Sequence, residues 1–198
     1  SIFYIKLYIL ENSPNYEARF IMSKIIFNRE WCMPSHATFT IRPIRKLIDR
    51  YYKHDGVCLN PFAYKSDYGI TNDINPSLDT DYHLDATEFL DLYDDESVDL
   101  VLYDPPYTPG QLKEHYDIYP ESKALYYTTQ NTYWSRQKDI IARIVKPNGY
   151  VICFGYDTNG IGKKRGFEIV EILLVAHGGG HNDTIVTVER KINQTRLI

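Results

Sequence analysis

From Thr38 onward the chain alternates short apolar runs with stretches of helical period. Pro43 to Tyr52 reads as a helix, because proline opens it and Ile44, Leu47, Ile48 and Tyr51 share one face. Val57-Cys58-Leu59 follows as a short buried strand ending at Asn60-Pro61-Phe62-Ala63, and Tyr68 to Asp73 is a second strand ending in an acid. Tyr82-His83-Leu84-Asp85 is a brief third segment before a helical Ala86-Thr87-Glu88-Phe89-Leu90. Val98-Asp99-Leu100-Val101-Leu102 is apolar enough for a strand buried on both faces. A helix over Tyr133 to Val145 stops before Lys146-Pro147-Asn148-Gly149, a turn signal. Strands are expected over Tyr150 to Phe154, Glu168 to Ala176 and Thr184 to Arg190. This alternation predicts an α/β fold with a mostly parallel sheet and helices on both faces. The last two strands are close enough for an antiparallel hairpin at the edge.

The central strand leads into Tyr103-Asp104-Pro105-Pro106-Tyr107. Two prolines cannot continue a paired strand, so the chain turns here, at the carboxyl edge where open α/β sheets bind ligands. The turn offers a carboxylate, backbone carbonyls and an aromatic face. Those groups suit a planar ring bearing an exocyclic amine. The bland alternative is a proline turn with Asp104 as an incidental cap.

Asp73 ends another strand, where a carboxylate can accept from ribose hydroxyls; its plain alternative is a turn cap before Asn75-Pro76. Asp85 can accept from an adenine amine or simply cap the helix that follows it.

Asp104-Pro105-Pro106-Tyr107 resembles the catalytic motif of the S-adenosylmethionine-dependent amino-methyltransferases, the adenine-N6 and cytosine-N4 DNA methylases. Aspartate in first place is the form usual in adenine-N6 enzymes. The resemblance runs from about Trp31 to Lys191 and is to small phage and prophage adenine methylases, with runs like Thr71-Asn72-Asp73-Ile74-Asn75-Pro76 and Asp81-Tyr82-His83-Leu84-Asp85-Ala86. It implies a Rossmann-like methyltransferase fold, S-adenosylmethionine as cofactor and adenine in DNA as target. It places Asp104, Pro105, Pro106 and Tyr107 at catalysis. The methionine end of the cofactor falls near Asn60, Pro61, Phe62 and Ala63, and near Thr38, Phe39 and Pro43. The family commonly has an aspartate before Pro-Phe and a glycine-rich turn after it; this chain has Asn60 and then Tyr64-Lys65-Ser66. Competing readings are an RNA adenine methylase, a cytosine-N4 enzyme, and a non-catalytic protein that binds cofactor or nucleic acid.

Composition fits a globular protein, with 43% hydrophobic and 24% charged residues over 198 positions, enough for one domain. A net charge of −4 runs against a nucleic-acid partner unless a basic face is segregated. Two basic runs offer one: Arg42, Arg45, Lys46, Arg50 and Lys53, and Lys163-Lys164-Arg165. Acids gather instead between Asp91 and Asp99. The second run, flanked by glycines, is the preferred phosphate contact; a solvated turn is the alternative. Cys32, Cys58 and Cys153 show no metal-ligand spacing and read as reduced thiols of a cytoplasmic protein, and six histidines make no metal cluster.

Thr108 to Gln137 is long, polar and rich in tyrosine, as a substrate-gripping loop would be. Ser1 to Leu10 is apolar but far short of the ~20 residues that span a bilayer. It suits a secretory core, an added edge strand, or part of an upstream extension ahead of Met22-Ser23-Lys24. The last alternative divides the chain into residues 1–21, an extension or flexible N-terminus, and a single domain over 22–198.

Overall fold

The computed structural model describes residues 2–5, 23–106 and 130–193. Its strands are β1 (Ile2–Ile5), β2 (Ser23–Trp31), β3 (Cys58–Asn60), β4 (Ile70–Thr71), β5 (Val98–Tyr103), β6 (Val145–Gly155), β7 (Phe167–Ala176) and β8 (Thr184–Lys191). The helices are α1 (Arg42–Tyr51), α2 (Ala86–Asp91) and α3 (Gln130–Ile144), with single 3-10 turns at Thr38–Thr40 and Lys163–Arg165. The strands form one sheet in the order β1-β2-β7-β8-β6-β5-β3-β4. β2, β7, β6, β5, β3 and β4 all run the same way, and β8 and β1 run against them.

Alternation along β5 divides the core. Leu100 and Leu102 face α1 and pack with Ile44, Leu47 and Ile48. Val101 and Tyr103 face the other way, toward Phe89 and Leu90 of α2 and Ile140, Ile141 and Ile144 of α3. From Leu100 onward neither face of β5 meets water, which is why Leu100 to Tyr103 is a continuous apolar run.

The β7–β8 pair is antiparallel, but it is not at the edge. β2 pairs with the outer side of β7, and β1 extends the sheet beyond it. Ile2–Ile5 is thus an edge strand, one of the alternatives open for the N-terminal residues. The expected strand over Tyr68 to Asp73 is only Ile70–Thr71, and the third segment is a single parallel bridge between Asn72 and Tyr82. The turn signal at Lys146 to Gly149 is a loop-out within β6: Val98 pairs with Val145 and Leu100 with Tyr150, so residues 146–149 bulge opposite Asp99. A Cβ on Gly149 would lie 2.8 Å from Val145 Cγ1, so the bulge requires glycine there.

The acids between Asp91 and Asp99 lie at or near the amino end of β5, away from Asp104. Arg143 pairs with Asp91 and Asp95, and Lys146 with Asp99. On the α1 face, buried Glu171 accepts from Arg50 and from Tyr51 Oη, which ties the first basic run to the sheet. All three cysteines are free.

Candidate active site

The carboxyl ends of β3, β4, β5 and β6 share one edge of the sheet. The chain leaves β3 toward β4 on one side and β5 toward β6 on the other, so the crevice between β3 and β5 is a topological switch point. Asn60 and Asp104 stand at its two sides.

Asn60 is fully buried, and among the described residues neither its side-chain oxygen nor its nitrogen has a hydrogen-bond partner. A buried amide normally finds partners, so this one is a candidate ligand contact. Around it the turn is tightly held. Asn72 Nδ2 donates to the carbonyls of Pro61 (3.1 Å) and Leu84 (3.0 Å), and its Oδ1 accepts from Leu84 N (2.9 Å). One side chain thereby clamps the ends of β3, β4 and the Tyr82 segment. Phe62 packs edge-on against Tyr103 at 5.9 Å, and Ala63 is fully buried.

In place of a glycine-rich turn, Tyr64 takes a left-handed conformation with φ +50°. That costs a non-glycine residue roughly 1–2 kcal/mol. Asp73 offsets it: its Oδ2 accepts from Tyr64 N at 3.1 Å, while Oδ1 accepts from Asn75 N at 3.0 Å. Asp73 is therefore a turn-fixing carboxylate, and each oxygen keeps further acceptor capacity. Asp85 is buried and accepts from Thr87 N at 2.8 Å, as the N-cap of α2.

Asp104 follows β5 and is partly exposed, with Pro105 buried behind it. Desolvation pushes its carboxyl up from 3.8 to about 7, against a hydrogen bond from the Thr38 side chain that lowers it. Thr38 thus joins the site directly. Phe39 does not turn its ring toward it: the ring is buried in the core, 5.2 Å edge-on from Phe154. Pro43 is buried in the first turn of α1. Tyr107 and residues 108–129 of the long aromatic segment lie outside the described residues. The remainder of that segment is helical, forming the first part of α3.

A cavity of about 390 Å³ opens beside the turn, walled by Pro105, Pro106, Trp134, Lys138, Tyr156 and Arg165. It lies on the β6 side of Asp104, whereas Asn60 and Asp73 lie on the β3–β4 side. Trp134 Nε1 donates to the Pro106 carbonyl at 3.2 Å, which fixes the proline turn to α3. Beneath it, Tyr103 Oη donates to Gln137 Oε1 at 2.7 Å inside the core. Burial raises the Tyr103 phenol well above 10, so it stays a donor. The loop after β6 is held from below by buried Glu189, which accepts from Ile161 N (2.5 Å) and Gly162 N (3.0 Å). Gly160 passes so close that a Cβ there would fall 2.2 Å from Glu189 Oε2.

Lys163 and Lys164 are exposed on the turn that follows. Arg165 is not available in the same way: it bonds Asp139 Oδ1 (2.6 Å) and Ser135 Oγ (3.0 Å) on α3. His177 is buried at the end of β7, between the Cys32 carbonyl (2.8 Å) and Thr184 Oγ1 (2.9 Å). Its part is structural. Sequence reasoning alone does not find Asn72, Gln137, Glu189 or the cavity-lining roles of Trp134 and Tyr156. Trp134 stands in an aromatic run, but its bond to Pro106 depends on a pairing that no local pattern announces.

No protein-family model matches this sequence, and no curated protein is similar to it. Solved structures do share its fold. TrmN from Thermus thermophilus superposes with a TM-score of 0.50 at 14% identity, over 77% of this chain and 49% of TrmN. The 1,6-didemethyltoxoflavin-N1-methyltransferase of Burkholderia thailandensis, solved with its substrate and S-adenosylhomocysteine, also superposes with a TM-score of 0.50. It is 12% identical, over 77% of this chain and 78% of that one. This chain thus spans about half the length of TrmN. At these identities the likeness is one of architecture: the fold is the Rossmann-like α/β fold of solved methyltransferases.

Proposed function

We propose that this protein is an S-adenosylmethionine-dependent methyltransferase acting on the exocyclic N6 amine of adenine in DNA. The observation that carries this is the Asp104-Pro105-Pro106 turn at the carboxyl end of the central strand, flanked by an unpartnered buried amide on one side and an aromatic-walled cavity on the other. The likeness to solved methyltransferase folds supports the reaction class. The Asp-Pro-Pro-Tyr motif supports adenine N6.

The residues present fit the cofactor. Asn60 has a donor and an acceptor without partners among the described residues, which suits the polar methionine end. Asp73 retains acceptor capacity for ribose hydroxyls, and Asp85, at the start of α2, is the carboxylate that the sequence offers to the adenine amine. Thr38 hydrogen-bonds to Asp104, which supports reading its segment as the one near the methyl donor. When bound, S-adenosylmethionine supplies an electrophilic methyl group.

The chain's own work falls mainly to Asp104. The amine lone pair of adenine is delocalised into the ring and is a weak nucleophile. An ionised Asp104 accepting one N–H, with the Pro105 carbonyl accepting the other, favours a pyramidal nitrogen and stabilises the positive charge that grows on it. Asp104 need not remove the proton first, because the methylated ammonium is acidic and loses it afterwards. Tyr107 is the stacking partner the motif implies. An adenine within a duplex is out of reach, so the target is single-stranded or flipped out of its helix.

The test is transfer of labelled methyl from S-adenosylmethionine to adenine-containing DNA, with the product nucleoside identified by mass spectrometry. Asp104→Ala should abolish transfer and leave S-adenosylhomocysteine binding nearly intact. Full activity in this variant removes Asp104 from catalysis. Transfer to matched RNA, or to free heterocycles, in preference to DNA overturns the substrate while leaving the amine chemistry standing.

A further inference from the structure

The cavity beside Pro106 carries two kinds of wall. Trp134 and Tyr156 supply aromatic surface, and the indole of Trp134 is fixed because its N–H is engaged by the Pro106 carbonyl at 3.2 Å. Lys138 and Arg165 supply positive charge. The guanidinium is held by Asp139 and Ser135, one turn of α3 apart, so it stays at the rim without a conformational search.

Lys138 differs from Arg165. No carboxylate lies within ion-pair distance of its ammonium among the described residues. Nearby Glu189 feels the charge of Lys138 but stays beyond ion-pair distance, its oxygens accepting from Ile161 N, Gly162 N and Cys153 Sγ. Asp157, also on the wall, turns its Oδ1 to Asn159 N at 2.8 Å. A cation that lines a polar cavity with no carboxylate at ion-pair distance among the described residues is placed to receive an anion from outside. The volume of about 390 Å³ falls in the range of small-ligand sites.

From this we infer that the cavity seats the target nucleotide, its base against Trp134 and Tyr156 and its phosphate on Lys138 at the rim Arg165 forms. The inference rests on the methyltransferase reading for the identity of the base, adenine, and goes beyond it in naming a pocket and a phosphate anchor. Stacking on a fixed indole does not discriminate strongly among bases. Choice of adenine therefore falls to Asp104 and the proline carbonyls, and the pocket supplies position and the nucleotide's charge. Trp134 also holds the catalytic turn, so occupancy of the cavity and placement of Pro106 are coupled through one side chain.

The chain has two tryptophans, and Trp31 is 63% exposed, so Trp31→Phe leaves Trp134 as the sole indole reporter. In that variant, 2′-deoxyadenosine 5′-monophosphate should quench tryptophan fluorescence saturably. It should bind more tightly than deoxyadenosine. Adding Lys138→Gln should weaken the monophosphate about fivefold, equivalent to roughly 1 kcal/mol, and leave the nucleoside unchanged. Absence of quenching by the monophosphate overturns the proposal. So does equal affinity for nucleotide and nucleoside, or indifference to Lys138→Gln. Calorimetry with S-adenosylhomocysteine on the same protein separates the two readings. Cofactor binding without nucleotide quenching overturns the pocket alone. Quenching that depends on Lys138, without cofactor binding, supports the pocket and removes the methyltransferase reading.

Discussion

The Thr38 side chain hydrogen-bonds to the carboxyl group of Asp104, joining the segment before α1 to the end of the central strand. The contact favours the ionised carboxylate in a place where desolvation disfavours it. Desolvation wins, and the group titrates near 7.

Methyl transfer by the proposed route needs the carboxylate form, so activity should rise with pH through about 7 and level off above it. Thr38→Val removes the hydrogen bond and should carry the midpoint to higher pH with little change in the plateau. Stability moves the other way. The native state holds a proton that the unfolded chain releases near 3.8, so folding loses stability as pH rises from about 4 through 7. Asp104→Asn should abolish that part of the pH dependence and raise the melting temperature above pH 7. A midpoint that does not move in Thr38→Val shows that this contact does not govern the titration.

Much of the site is legible in the sequence because it sits where strands end. The run Val98 to Leu102 followed by Asp-Pro-Pro announces both a buried strand and its stop, and both are present in β5 and Asp104. The apolar face of α1 is equally plain, since Ile44, Leu47 and Ile48 recur at helical spacing. β2 is not legible in this way. Most of its described side chains are exposed, so the strand carries no clean alternation; β7 stabilises it through backbone bonds that any sequence can make. The clamp at Asn72 escapes a sequence reading for a related reason. Its three bonds join Pro61 and Leu84, and only the folded chain brings those backbones together.

Asp73 should serve two ends, and the variants separate them. Asp73→Ala deprives the Tyr64 and Asn75 N–H groups of their acceptors, which should cost about 1–3 kcal/mol of stability. The left-handed Tyr64 turn is the first place to loosen. Asp73→Asn keeps an oxygen for one N–H and should retain more of the fold, while losing the charge that ribose hydroxyls would meet. Denaturant unfolding beside calorimetry with S-adenosylhomocysteine distinguishes the two effects. If Asp73→Asn folds and binds the cofactor product with unchanged affinity, the acid is a turn cap and nothing more.

Lys163 and Lys164 are the test of the DNA surface. Both are exposed on the short turn beyond β6, beside the arginine that lines the cavity. Arg165 must be left in place, because replacing it would break its bonds to Asp139 and Ser135 and disturb α3. Lys163→Gln with Lys164→Gln should weaken DNA binding and flatten its dependence on salt by roughly 0.7–0.9 in the logarithmic slope for each phosphate no longer neutralised. Cofactor affinity should hold, since the turn lies on the β6 side of Asp104 whereas Asn60, Asp73 and Asp85 lie on the β3–β4 side. Weaker binding with an unaltered slope would mean that the lysines act through loop structure and not through phosphates. A slope and an affinity both unchanged would take this turn off the DNA-binding surface, leaving Arg42 and Arg45 on α1 as the next basic residues to replace.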